Sequence, residues 1–271
     1  MNRPFSTLSL AGTDPHDIIA QAVQDASGMV LGRSKDYLVD ARLKSILARF
    51  ELDTLHQLAQ RIRSGDREVL NAVVDRMTIN ESFFFRDQRP FTVLRDEVLP
   101  AISRLARPGA APRIWSAACS AGQEPFSVSI LLAERHMRAE ILATDISPTV
   151  LGRAERGVYS DFEIGRGVEP GRRDRFFERV EAGWRVREAV RGPIRFARHN
   201  LVKDQPSGRF ELILCRNVLI YFDEPTKRAV LRKLTDALQP GGMLMLGGAE
   251  TALDADPRLA PGPGGFVLVR R

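Results

Sequence analysis

The chain has 271 residues, of which 44% are hydrophobic and 27% charged, with a formal net charge of +6. That balance excludes a disordered or fibrous chain, and the length allows one large domain or a small one joined to a medium one. No apolar run approaches the ~20 residues that span a bilayer, and the opening MNRPFSTLSLAGTDPHD has no signal-peptide apolar stretch, so a cytoplasmic protein is expected.

Two cysteines, Cys119 and Cys215, and the histidines His16, His56, His136 and His199 stand in unrelated contexts without metal-ligand spacing. Neither a zinc site nor a disulfide framework is expected. The basic excess favours an acidic partner, either nucleic acid or a carboxylate-rich protein surface. Acids and bases are interleaved along most of the chain, so charge alone does not separate these from a merely solvated surface.

In chain order, the first ~85 residues read as a small helical bundle. Asp14-Pro15 is an N-cap with proline at the first helical position, and Gly28 is a stop. SKDYLVDARLKSILARF repeats apolar residues at helical spacing (Leu38, Leu43, Ile46, Leu47, Phe50), as does DREVLNAVVDRM. RPFTVLRDEVLPAISRL is a further helix, closed by the break ARPGAAP at 106–112. After that break, strands alternate with helices: RIWSAA, PFSVSILLAERHM, AEILATDI, SPTVLGRAERG, IRFARHNLV, FELILCRN, EPTKRAVLRKLTDALQ, GMLMLGG and GFVLVRR. This order predicts an α/β fold, a doubly wound and mostly parallel sheet covered on both faces. ILATDI and LILC lack alternation, as central parallel strands do. Within 158–193 the order is interrupted, and FFERVEAGWRVREA is expected to form a short antiparallel pair turning at Ala182-Gly183. The expected division is a helical domain over 1–85 and an α/β domain over 86–271 with a small β insertion.

In such a sheet, ligands bind beyond the carboxyl ends of the strands, where the strand order reverses. The first turn there is SAACSAGQEP, whose Ala117, Ala118, Ser120, Ala121 and Gly122 allow close approach of a ligand, or else simply make a tight connection. Asp145 ends the second strand, where a carboxylate accepts from the ribose hydroxyls of an adenosine or caps the next helix. Asn200 suits an adenine edge or a turn. Arg216 and Asn217, after the fourth strand, form a polar pair suited to the amino-acid end of a cofactor.

RIWSAACSAGQEPFSVSILLAE, ATDISPTVLGRAERGVY, FARHNL and FELILCRNVLIYFDEPTKRAVLRKL, with TINESFFFRDQRPF upstream, resemble the CheR family of chemotaxis protein-glutamate O-methyltransferases. The resemblance runs from about Met77 to Glu250 and implies a class I S-adenosylmethionine methyltransferase fold, that cofactor without a metal, and S-adenosylhomocysteine as its product. It also implies residue roles. Asn80, Ser82 and Arg86 match a linker pattern that reaches the cofactor, and Ala118 lies in the small-residue turn. Glu124 matches the partner of the methionine amino group, and Asp145 the ribose-binding carboxylate. Asn200 and Leu201 match the adenine-side pair, Arg216 and Asn217 the pair after the fourth strand, and Tyr221 the tyrosine beside the reacting methyl group. Tyr221 and Arg86 are the expected catalytic residues. The implied substrates are glutamate side chains of chemoreceptors.

Some members carry a Gly-x-Gly element in the inserted sheet that docks onto a receptor-tail peptide. FFERVEAGWRVRE lacks that glycine pair. The peptide-independent type is therefore expected, with the chemoreceptor's helical bundle engaged through basic N-terminal helices (Arg42, Lys44, Arg49, Arg61, Arg63, Arg67) and without a receptor-tail pentapeptide. A solvated basic face is the plain alternative for each of these residues. Neither nucleic acid nor membrane insertion is expected. The rival readings are an RNA or DNA methyltransferase, whose amino-methylating types need an absent Asn/Asp-Pro-Pro-aromatic run, and a non-catalytic cofactor-sensing scaffold.

Overall fold

The computed structural model describes residues 14–32, 36–250 and 256–271. The opening stretch read above for a signal sequence, and the Leu38 side chain, lie outside the described residues. The chain divides into two compact units, one up to Ile79 together with Tyr221–Asp223, the other Asn80–Ile220 with Glu224–Arg271.

In the smaller unit, α1 (Pro15–Ser27) begins at Asp14, whose carboxylate accepts the His16 N–H, and ends at Gly28 with φ 81°. That is the cap pair expected from the sequence. α2 spans Asp36–Arg49. α3 (Leu55–Arg63) is opened by a Thr54–Gln57 capping box, and α4 (Arg67–Met77) by Asp66. Ile19, Val23, Leu43, Leu58, Val69 and Val73 are fully buried and form its core. Arg42 donates to the Met77 carbonyl and Arg76 to the Arg42 carbonyl, which ties α2 to the end of α4. The Tyr221–Asp223 segment joins this unit through Val30 N–H to the Tyr221 carbonyl (2.9 Å) and through the Gln24 amide to Asp223 (3.1 Å).

The larger unit starts with the NESFFF stretch, which the sequence reading had placed in the helical domain. Phe84 is fully buried, edge-on to Tyr159 and Phe177, and the Phe85 N–H donates to the Ser127 hydroxyl. A helical run follows as α5 (Gln88–Val93), a π turn (Leu94–Val98) and α6 (Leu99–Leu105). Pro100 has no N–H for the Asp96 carbonyl, and the wider turn ahead of it relieves the clash of ring and carbonyl.

Next come β1 (Arg113–Ala117), α7 (Gln123–Glu134), β2 (Glu140–Asp145) and α8 (Pro148–Arg156). The inserted segment holds β3 (Val158–Tyr159), α9 (Asp161–Gly165), α10 (Pro170–Phe176), β4 (Phe177–Val180), β5 (Gly183–Val186) and α11 (Glu188–Arg191). The chain then returns as β6 (Ile194–Arg198), β7 (Phe210–Cys215), α12 (Glu224–Ala237), β8 (Leu238–Leu246), β9 (Leu259–Pro261) and β10 (Val267–Arg270). Among the described residues the main sheet runs β6-β2-β1-β7-β8-β10-β9. Its first five strands are parallel, whereas β10 pairs antiparallel with both β8 and β9. The doubly wound, mostly parallel sheet read from the sequence is present, and its order reverses between β1 and β7. Every residue of β7 is buried, as the apolar run LILC requires, and the buried Glu211 beside it accepts from the Arg113 N–H (2.7 Å).

The insertion forms a separate sheet, β3-β5-β4. Val180 pairs with Gly183, so the turn is Glu181-Ala182, one residue before the expected Ala182-Gly183. Gly183 is instead the first residue of β5, at φ 130°, where an added Cβ would lie 2.2 Å from the Tyr159 carbonyl oxygen. The glycine is needed for strand contact rather than for turning. Gly183→Ala is expected to lower stability by about 3 kcal/mol, combining backbone strain with overpacking. Thermal unfolding of the variant checks this, and an unchanged midpoint would refute it.

Candidate functional site

Strand register builds the site. Ala117 is level with Thr144 on one side and with Cys215 on the other, and Cys215 is level with Leu246. The ends of four neighbouring parallel strands therefore lie together, and Asp145, the last residue of β2, shares one edge at the reversal of strand order with Ala118, Arg216 and Gly247, which follow β1, β7 and β8. This is where a doubly wound sheet binds its ligand.

In the turn after β1, Ala118 and Ser120 take left-handed φ values of 60° and 52°, and Gly122 takes 93°. Ser120 N–H donates to one Asp145 carboxylate oxygen (2.8 Å), and Ser147 N–H to the other (3.0 Å). Asp145 thus braces the turn and holds the Ser147 N–H, while the cap of α8 is Ser147 itself, whose hydroxyl accepts from the Val150 N–H (3.3 Å). The Ser120 hydroxyl donates to the Asn80 carbonyl (3.0 Å), which draws the linker to the same edge. Gly122 differs from the expectation of open backbone. A Cβ there would lie 2.9 Å from Ala154 Cβ and 3.1 Å from the Tyr159 hydroxyl, so its smallness serves packing of the turn. Ala118 is half-buried, so this part of the turn keeps an accessible surface.

Glu124, in the first turn of α7, accepts from the Ser116 hydroxyl (2.8 Å) and from Arg216 (3.3 Å). Arg216, with only 2% of its side chain exposed, also donates to Asp87 (3.1 Å) and to the Arg86 carbonyl (3.0 Å). Burial lifts the Glu124 carboxyl above its ordinary value against the opposing pull of Arg216 and Ser116. Among the described residues, Arg216 Nε and the Gln123 side-chain oxygen are buried without a hydrogen-bond partner. Such groups are costly unless something else satisfies them.

Arg86 is half-buried, its guanidinium donating to the Glu81 carbonyl (3.1 Å) and lying over the Phe83 ring. Ser82 and Leu201 are half-buried. The Asn200 side-chain oxygen accepts from Val202 N–H (2.9 Å) and Lys203 N–H (3.3 Å), so the turn reading is the one that the fold realises for that oxygen. Asn217 stands at φ 59° with its N–H on Glu250 (2.8 Å). Tyr221 belongs to the smaller unit. Two site carboxylates went unnoticed in the sequence. Asp87 directly follows Arg86, and Glu250 follows the last core strand in GGAE. Its place just beyond a strand end is the signal that could have found it.

Several of the basic residues nominated for partner contact have partners within their own unit. Arg42 holds the Met77 carbonyl, Arg49 pairs with Glu68 (3.2 Å), and Arg61 pairs with Asp66. Lys44, Arg63 and Arg67 are exposed. No described helix is long and apolar enough to cross a membrane.

The polar residues Asp145, Glu124 and Arg216 thus gather at the switch point of a doubly wound domain, the place where such domains bind their ligands. The family described as CheR methyltransferase, SAM binding domain matches residues 80–260, and its all-alpha companion domain matches 17–78. A chemotaxis protein methyltransferase of Vibrio parahaemolyticus is 41% identical, over 84% of this chain and 86% of its own. One from Pseudomonas aeruginosa is 39% identical over 90% and 92%, and one from Listeria innocua is 35% identical over 86% and 88%. The chain belongs to the CheR methyltransferase family. It is a methyltransferase, and S-adenosylmethionine is its cofactor.

The Arg216–Glu124 pair yields a test that needs no substrate. Arg216→Met leaves Glu124 buried without its cation and should cost about 3–5 kcal/mol of stability near pH 8. The cost should shrink as pH falls, because protonation discharges a carboxyl whose pKa is already raised. Denaturant unfolding of both proteins between pH 8 and pH 5 checks the sign, and a gap that widens on acidification contradicts it.

Proposed function

We propose that the protein methylates glutamate side chains on the cytoplasmic helical bundle of chemoreceptors, forming methyl esters and S-adenosylhomocysteine. The observation that carries this reading is the polar switch-point edge, Asp145 and Glu124 with Arg216, in a chain that shares 39–41% identity with chemotaxis protein methyltransferases. In this reading Asp145 serves the ribose, Glu124 the amino group, and Asn200 and Leu201 the adenine side. Asn80, Ser82, Arg86, Ala118, Arg216 and Asn217 complete the cofactor's surroundings. When bound, the cofactor supplies a methyl group on a cationic sulfur.

The remaining work is positional. A surface glutamate with a pKa near ~4.3 is already the ionised nucleophile at neutral pH, so no general base is required. Holding oxygen, carbon and sulfur in line while excluding water is the main source of rate. Tyr221 acts as an orienting hydrogen-bonding group. Arg86 guides the substrate carboxylate without a tight ion pair, which would blunt the attacking oxygen.

Recognition is assigned to the basic residues of the helical unit, Arg42, Lys44, Arg49, Arg61, Arg63 and Arg67, facing acidic receptor helices. The β4–β5 hairpin lacks a Gly-x-Gly element, which favours a mode independent of the receptor-tail peptide.

Incubation with radiolabelled cofactor should label receptor cytoplasmic fragments, and mild base should release the label as methanol. Base-stable label on RNA alone would falsify the reading. Tight, specific capture of a receptor-tail pentapeptide would overturn the peptide-independent mode. The Glu124 role has its own measurement. A bound ammonium favours ionised Glu124, so affinity for S-adenosylhomocysteine should fall as pH drops through the raised pKa, with proton release on binding. Calorimetry in buffers of differing ionisation enthalpy reads both, and Glu124→Gln should bind more weakly and without this pH dependence.

A further inference from the structure

The chain after β7 is held by one carboxylate from the far side of β8. Glu250 accepts from Asn217 N–H (2.8 Å) and Gly247 N–H (2.8 Å) on one oxygen. Its other oxygen accepts from Val218 N–H (3.0 Å) and Leu219 N–H (2.8 Å). Three successive backbone N–H groups converge on a single anion in the manner of a backbone nest, with the ligand supplied by the chain itself. Asn217 sits at φ 59°, the left-handed conformation that asparagine tolerates better than most non-glycine residues.

The approach is close from both sides. Gly247 has no room for a Cβ, which would meet Glu250 Oε2 at 2.8 Å and the Asn217 amide nitrogen at 2.9 Å. Leu219 opens the 3-10 turn Leu219–Tyr221, so the residues that Glu250 holds lead directly into Tyr221 in the chain. Burial raises the Cys215 thiol and the Glu124 carboxyl, and the nearby charge of Glu250 adds to both.

We infer that Glu250 is a positioning residue for methyl transfer, clamping the Asn217–Leu219 segment so that Asn217 is presented in one fixed geometry. Resting on the proposed function above, it adds a residue that touches neither cofactor nor substrate and acts through the four backbone donors it satisfies. Removing the carboxylate leaves those donors to water or unpaired and releases the left-handed residue. A displacement of about 1 Å at a reacting centre costs on the order of 10²-fold in rate. Stability should change less selectively, since the β7 and β8 ladder remains.

The test uses the full chain with Glu250→Ala, Glu250→Gln and Glu250→Asp. Hydrogen exchange should quicken at the amides of Asn217, Val218 and Leu219 in Glu250→Ala and Glu250→Gln, with the β1 and β7 amides unchanged. The kcat for methyl transfer should fall by ~10–10²-fold while KM for the receptor fragment moves little, and Glu250→Asp should recover part of the loss. A kcat within twofold of the parent in a folded variant whose loop amides have loosened overturns the inference. So does fast exchange spread over the whole sheet with kcat intact below the unfolding temperature. Should Glu250→Ala fail to fold, the isosteric Glu250→Gln carries the same comparison. Should the parent not methylate receptor glutamates, the failure is that of the proposed substrate. Hydrogen exchange and S-adenosylhomocysteine binding by the variants then decide whether Glu250 holds the loop.

Discussion

The common ending of four parallel strands is the constraint on which the rest of the molecule depends. Because β2, β1, β7 and β8 pair in step at their ends, Asp145 at the tip of β2 and the first residues beyond β1, β7 and β8 fall on the same edge. A shift of one residue in any pairing would reverse which face its side chains meet, and the buried apolar rows of these strands forbid it. Register thus converts four distant stretches of sequence into one polar line, with Ala118, Asp145, Arg216 and Gly247 following in order.

That line is braced by charges that serve one another. Arg216 links Glu124 on α7 to Asp87 and the Arg86 carbonyl in the linker, while Asp145 gathers N–H groups from two turns. Buried ion pairs contribute little net stability, since desolvation offsets most of the attraction, but breaking one by removing a partner is strongly unfavourable. The arrangement therefore fixes geometry more than it adds stability, which suits a reaction governed by alignment. The linker is held to the same unit by apolar means, with Phe84 buried against Tyr159 and Phe177.

Much of this was legible beforehand. The caps of α1, the alternation of strands and helices, and the continuous apolar run of β7 follow from local rules of backbone and burial. Asp145 and Glu124 were visible as carboxylates just past the first two strands. The Glu181-Ala182 turn was misplaced by one residue because glycine is the usual turn marker, whereas Gly183 answers to the nearby Tyr159 carbonyl. Asn200 and the basic helix residues were ambiguous because one side chain serves a turn, an internal ion pair or a ligand equally well by composition.

By itself, then, the sequence determined the element order, the sheet class, the family and the candidate polar residues at strand ends, all of which depend on local periodicity or on recognisable strings. Only the tertiary structure decided which of those residues are occupied. Arg42, Arg49 and Arg61 hold partners of their own unit, the last two in surface ion pairs, and Gly122 proved tight against Ala154 rather than open. The four N–H groups on Glu250 come from segments about thirty residues apart in the chain. Strand pairing between β7 and β8 makes them neighbours, and nothing local in GGAE or RNVL announces it.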